Sequence, residues 1–376
     1  MRQPHTARGY LRRGAANTTT HLRTLWGSGA HLGLTLALIS LFTVLALWAP
    51  HFLTTQNLLN VLRQVSFLAI VAWGMTLIII SADIDVSVGS AVAFHGTLLG
   101  YVVNRGEWPI WLGVLLVLAV GAGVGFFAGF VRSFFNIPSF IVTLGLFSAL
   151  RGLGLLITGA IPQPLTSKTF QYWGSGRLAG IPVPALVMIG LFCVFWFVAS
   201  RTTFGRAVYA VGGNPEAARL SGIPIARVRI VLFMIVGVLA AVSGVLLAAS
   251  LGAGNPSVSQ GLEFDIIAAV IVGGTSLYGG RGSMVGTALG VLLIGMLQNG
   301  LVLLGVNQYA QGVARGAVII VAVLIGSARL RESSRRLVGQ ALRRMRSTRG
   351  STETKTEPVA SEGAAATSIG TQEPDA

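Results

Sequence analysis

The residues able to do chemistry are few and widely spaced. From His31 to Gly326 the chain carries only thirteen Lys or Arg and six Asp or Glu. Asp83, Asp85, Glu263 and Asp265 stand at the ends of apolar blocks, and His95 is the one histidine well inside such a block. Buried carboxylates and histidines are what a proton- or sodium-coupled carrier uses, and here they make a thin set. His5, His21, His31, His51 and His95 never fall at metal-ligand spacing with acids or cysteine, and Cys193 stands alone. Neither a metal site nor an intrachain disulfide is expected. No Gly-Lys pair occurs, and Lys168 and Lys355 are the only lysines, so a phosphate loop of the G-x-x-x-x-G-K-[ST] kind is missing. An enzyme working inside the membrane would need an acid and a base paired within a span, and no such pair is visible. Concentrating a solute would need an ion gradient or a motor outside this chain.

Of the 376 residues, 53% are apolar and 10% charged, and the mean hydropathy is +0.74, which excludes a water-soluble globule. The apolar blocks have the length that spans a bilayer core of roughly 30 Å. They predict an all-α, polytopic membrane bundle of about ten segments: 31–50, 66–82, 86–103, 110–131, 137–158, 181–199, 228–250, 264–274, 284–304 and 312–326.

A net charge of +15 suggests nucleic acid, so placement must decide. Five arginines precede the first block and a run from Arg329 to Arg349 follows the last. With ten spans and the N-terminus inside, 21 positive residues lie inside against four outside (Arg63, Arg105, Lys168 and Arg177), with Arg151 and Arg315 within spans. That asymmetry predicts both termini in the cytoplasm and no nucleic-acid partner. The organisation expected is a basic N-terminal tail (1–30), a membrane domain (31–326), a basic juxtamembrane segment (327–350) on an anionic leaflet and a disordered tail (351–376).

Two stretches, 81–90 and 273–283, interrupt the apolar pattern, and aligning Gly89 and Ser90 with Gly282 and Ser283 suggests an internal duplication with broken or re-entrant helices. Such breaks at matching positions point to a transport path, because backbone freed at membrane depth is tolerated only beside protein or water. Ordinary inner loops are the alternative. Gly121, Gly125 and Gly129, and Gly282, Gly286 and Gly290, recur every four residues and predict close helix contacts. The inner loop 200–229 contains a short helix that Asn214 can cap, with Pro215 first and Glu216 at the positive end of the dipole, and Gly222 stopping it. It is either a rigid lever for a partner or a solvated connector.

Glu216, Ala217 and Ala218, followed after three residues by Gly222, are similar to the E-A-A-x-x-x-G coupling loop of ATP-binding-cassette importer permeases, without the I-x-L-P ending seen in many. WGMTLIIISADIDVSVGS (73–90), NIPSFIVTLG (136–145), TTFGRAVYAVGGNPEAARLSGI (202–223) and EFDIIAAVIVGGTSLYGGRGSMVGT (263–287) resemble the simple-sugar branch, the ribose, xylose, arabinose and galactoside permeases. The likeness covers residues 50–326. Ala82 stands where a glycine is common, and Tyr278 where a small residue is common.

The resemblance implies a subunit without catalysis or cofactor of its own, in a bacterial cytoplasmic membrane. Its partners would be a second permease subunit (a copy or a paralogue), a cytoplasmic ATPase using ATP and Mg, and an extracytoplasmic sugar-binding protein. Gly213, Asn214, Glu216, Ala217, Ala218 and Gly222 would touch the ATPase. The cargo would be a monosaccharide, a pentose or hexose, whose hydroxyls need hydrogen-bonding groups more than charge. Candidates for its path are Asp83, Asp85 and Ser87, Gln298 and Asn299, and Glu263 with Asp265 at the outer mouth of the eighth span. The competing reading is an ion-coupled carrier or passive channel for a small polar solute.

Overall fold

In hydrocarbon every backbone N–H and C=O must be satisfied internally, so runs of Leu, Val, Ile, Ala and Gly of this length fold as helices. The computed structural model describes residues 28–307, 309–314, 316, 317 and 320. In chain order the helices are α1 (Ser28–Trp48), α2 (Thr55–Ile80), α3 (Val88–Asn104), α4 (Ile110–Phe134), α5 (Ser139–Thr158), α6 (Lys168–Ser175), α7 (Val183–Arg201), α8 (Thr203–Gly213), α9 (Pro215–Leu220), α10 (Ile225–Leu251), α11 (Leu262–Val272) and α12 (Met284–Leu303). Six of them, α2, α4, α5, α7, α10 and α12, are long and apolar enough to cross a bilayer, with Leu32–Trp48 of α1 a shorter apolar helix.

Nine of the ten expected segments are helical. The second starts earlier than expected, at Thr55, where the Thr54 hydroxyl accepts the Asn57 N–H at 3.3 Å. Its first turns, TQNLLNVLRQ, are polar enough to hide the helix from hydropathy, so Arg63 lies on α2 and not in a loop. The tenth segment lies mostly outside the described residues, as do Arg315, residues 1–27 and the segments 327–350 and 351–376.

The loops gather at two ends. At the near end lie residues 81–83, 132–139, 201–229 and 273–283, tied together by Asp83, which pairs with Arg132 and Arg229, and by the Gly280 N–H, which donates to Ile80 O at 2.8 Å. At the far end β1 (Gln163–Pro164) pairs antiparallel with β4 (Ala253–Gly254). There too β2 (Arg177–Leu178) and β3 (Ile181–Pro182) form a hairpin whose turn residues, Ala179 and Gly180, have φ of 50° and 82°.

The core runs along α2, where every residue from Val65 to Ile80 is buried, and α10 packs beside it. Glycines set a close crossing between α4 and α10. A Cβ on Gly121 would lie 2.6 Å from Gly237 O, and one on Gly129 would lie 2.6 Å from the Ile230 Cα. Between them Gly125 rests on the Phe233 carbonyl. The expected glycine face is therefore a backbone-to-backbone seam. The second trio splits: Gly286 and Gly290 receive Gly273 and Ala269 of α11, whereas Gly282 precedes α12 and packs on Ile80.

Candidate functional site: two helix starts at membrane depth and a braced lever

At 11 residues, α11 is about 16 Å long, half a bilayer core. Its Gly273 lies against Gly286 and its Ala269 carbonyl against Gly290, so α11 runs antiparallel to α12. Leu262 therefore sits about 20 Å in from the near end of α12. A Cβ on Gly89 would meet the Glu263 carboxylate and, at 3.1 Å, its backbone N, which places the start of α3 at the same depth. The two helix N-termini meet inside the bundle, and from there α3 runs to the far end and α11 to the near end.

Each is reached through non-helical chain: residues 82–87 rise from the near end and 252–261 descend from the far end. The second interruption thus precedes α11, whereas the residues alone pointed to 273–283 after it. That glycine-rich loop is a near-end connection. The break is made by GAGNPSVSQG, in which Gly252, Ser259 and Gly261 have φ of 67°, 60° and 79°. It also moves Glu263 and Asp265 from the outer mouth to the interior, where they are 1% and 5% exposed.

Non-helical backbone at this depth needs partners, and α5 supplies them. Ser139 Oγ accepts from Ile84 N at 3.0 Å and Thr143 Oγ1 from Val86 N at 3.1 Å. Higher on the same helix, Arg151 Nη1 donates to Pro256 O and Val258 O, both at 2.8 Å. Arg151 thus reaches inward to the chain before α11.

The path candidates divide. Asp83, 2% exposed, is bridged by Arg132 Nε, which donates to Oδ1 at 2.6 Å, and by Arg229 Nε, 2.9 Å from Oδ2 but not aligned as a hydrogen bond. Asp85 accepts from Ser87 N at 2.8 Å and Ser87 Oγ at 2.6 Å, closing the first turn before α3. Asn299 exchanges two hydrogen bonds with Asn57, at 3.1 and 2.9 Å. Asp265 and Gln298 share a cavity of ≈ 180 Å³ with Gln64 and Gln311, two carboxamides that the sequence pattern alone did not single out. Each lies among other polar residues, Gln64 beside Arg63 and Gln311 after Asn307 and Gln308, so nothing in the pattern set it apart. His95 is fully buried, its ring 5.8 Å from that of Phe94. Among the described residues no group of His, Cys, Asp and Glu could hold a metal ion.

The 200–229 loop holds two helices where one was expected. Gly212 and Gly213 end α8, and Asn214 Oδ1 accepts from Ala217 N at 3.0 Å, so α9 begins at once. Ala218 is buried, while Glu216 and Arg219 stand exposed and paired at 2.7 Å. Gly222, at φ 79°, turns the chain so that Ile223 N returns to Ala218 O at 3.0 Å. On the inner side Gly212 lies on the Ile80 carbonyl, and Tyr209 Oη donates to Gly282 O at 2.9 Å. Burial pushes the Tyr209 hydroxyl above its ordinary pKa, so it stays a donor at neutral pH. Through these contacts α8 and α9 brace the end of α2 and the loop leading from α11 to α12.

No solved structure matches the chain. The family described as branched-chain amino acid transport system / permease component matches residues 57–323. A probable ABC transporter permease protein, YphD, of Escherichia coli is 52% identical over 78% of this chain and 88% of its own. The ribose import permease protein RbsC of Bacillus subtilis is 41% identical over 78% and 92%. The L-arabinose ABC transporter permease protein AraH of Azospirillum brasilense is 34% identical over 78% and 86%. With its family match running from the start of α2 past the end of α12, this multi-pass membrane protein belongs to the permease components of ABC transport systems, alongside the sugar importer permeases.

Proposed function

We propose that the chain is the membrane-spanning permease subunit of an ATP-driven importer of a simple sugar, a pentose or hexose. The cargo would be handed over by an extracytoplasmic binding protein at the far end. Separate ATPase subunits, which use ATP and Mg, would dock at the near end, and a second permease copy or a paralogue would complete the path. Both termini would then be cytoplasmic, in a bacterial cell membrane. The observation that carries the reading is the braced lever: a capped, exposed α9 whose supporting α8 rests on Ile80 and Gly282. The likeness to permeases named for ribose and arabinose supports the choice of cargo.

In this mechanism Gly213, Asn214, Glu216, Ala217 and Gly222 form the contact with the ATPase, whereas Ala218, expected to share it, is buried and seats α9 on the bundle. Closure of the ATPase displaces α9 as a rigid piece, since its cap and its return turn leave it little internal freedom. The motion passes through Tyr209 to the 273–283 loop and so to α11, and through Gly212 to the end of α2. Asp83, held by two arginines on α4 and α10, ties the first interruption to the bundle wall while α11 moves. Asp85 and Ser87 fix the start of α3. The test is reconstitution with the ATPase and binding protein: vesicles should accumulate sugar only when ATP is supplied. Uphill transport by this chain alone would overturn the reading.

A further inference from the structure

The cavity bounded by Gln64, Asp265, Gln298 and Gln311 has a composition that lipid packing does not explain. By helix rise it lies about 13 Å inside the far end of α2 and about 8 Å inside that of α12. Gln311 is anchored by its Nε2, which donates to Val306 O at 2.9 Å. Gln64 and Gln298 have no such anchor among the described residues. Gln64 is exposed and Gln298 half-buried, so both carboxamides face open space, and polar groups of three elements converging on one space suit water or a polar ligand there.

Each carboxamide offers two N–H donors and a carbonyl acceptor, which suits a ligand whose groups both donate and accept. A volume of ≈ 180 Å³ holds about six waters, the scale of one sugar ring and not of an oligosaccharide. The apolar floor, Ala268 and Ile294, suits the C–H face of such a ring. One wall, with Asp265 and Ala268, belongs to α11, the half-length helix whose near end joins the loop braced by Tyr209.

We propose that this cavity is a holding station in the membrane for one neutral monosaccharide, gripped by its hydroxyls through Gln64, Gln298 and Gln311, with Asp265 on the wall that moves. The proposal rests on the permease reading above. In that reading it lies on the delivery side, and movement of α11 opens and closes the grip.

The test uses proteoliposomes holding the chain with its ATPase, supplied with saturating binding protein loaded with D-ribose or L-arabinose, so that selection outside the membrane is not measured. The quantity read is sugar moved per ATP hydrolysed. Gln64→Met and Gln298→Met keep shape and lose hydrogen bonding, and each should lower that ratio roughly three- to tenfold while stimulated ATPase activity and complex assembly stay at the wild-type level. Gln298→Asn should fall between Gln298→Met and wild type. Gly123→Met, a site on α4 with open space around it, should match wild type. If both Met variants keep the wild-type ratio while the wild type imports sugar, the station is wrong and the permease reading stands. If the wild type imports no pentose or hexose delivered by the binding protein, with all partners present, both fall.

Discussion

Asp83 meets two arginines at once, and its removal gives a graded prediction. At 2.6 and 2.9 Å its two arginines each contribute about 6 kcal/mol of gross attraction at an effective dielectric of roughly 20. Desolvation of three charges offsets most of this, and the measurable quantity is the loss of stability when one member goes. Asp83→Asn leaves two guanidiniums facing each other without a counter-charge, a class of change that costs about 3–5 kcal/mol. The Arg132 and Arg229 side chains keep 16% and 13% of their exposure, so water shares the burden and the expected loss is about 3 kcal/mol. Arg132→Gln should cost less, because a neutral Asp83–Arg229 pair survives. Arg229→Gln should cost least, because the surviving pair is the aligned hydrogen bond. The assay is unfolding of the purified protein in mixed micelles by titration with sodium dodecyl sulfate, monitored by tryptophan fluorescence. The double variant Asp83→Asn, Arg229→Gln should recover part of the Asp83→Asn loss. An Asp83→Asn protein as stable as wild type, or a larger loss in Arg229→Gln than in Asp83→Asn, would refute the arrangement.

Four other outcomes can be checked. Gly237→Leu pushes a side chain into the Gly121 backbone and should cost about 1–3 kcal/mol or more in the same titration, while Gly123→Leu should be neutral. Ser139→Ala with Thr143→Val strips the Ile84 and Val86 amides of their partners, so both should exchange hydrogen faster, with stability lower by about 1–3 kcal/mol per amide. Gly222→Val, forced to φ 79°, strains the turn after α9 by about 1–3 kcal/mol; it and Glu216→Lys should leave the complex assembled but weaken the ATPase response to loaded binding protein. Tyr209→Phe removes the bond to Gly282 O, and the sugar moved per ATP should drop while the complex stays intact.

The features legible in the chain alone were those that depend on local pattern. Uninterrupted apolar runs gave nine segments, the period-four glycines gave the α4 face, and Asn214, Pro215 and Gly222 gave the ends of α9, since each arises from chemistry within a few residues. Long-range pairing was hidden. Asp83 and Asp85 look equivalent in sequence, yet Arg132 and Arg229 claim the first and Ser87 the second. The second interruption was misplaced because hydropathy averages over GAGNPSVSQG, and the short α11 drew attention to the glycines after it. Gln64 and Gln311 acquire meaning only when α2, α11, α12 and the chain beyond meet around one space.

The pairing of Ser139 and Thr143 with the first interruption, and of Arg151 with the second, makes α5 a common seam stitched to both. Around the rest of its circumference Phe140, Ile141, Leu144, Leu153 and Leu156 are exposed in the single chain. A sideways lean of this one helix unpicks four hydrogen bonds together and loosens the approaches to α3 and α11 in the same stroke. Whatever presses on that greasy outer surface, whether acyl chains or a neighbouring subunit, therefore has mechanical purchase on both halves of the interior without touching either.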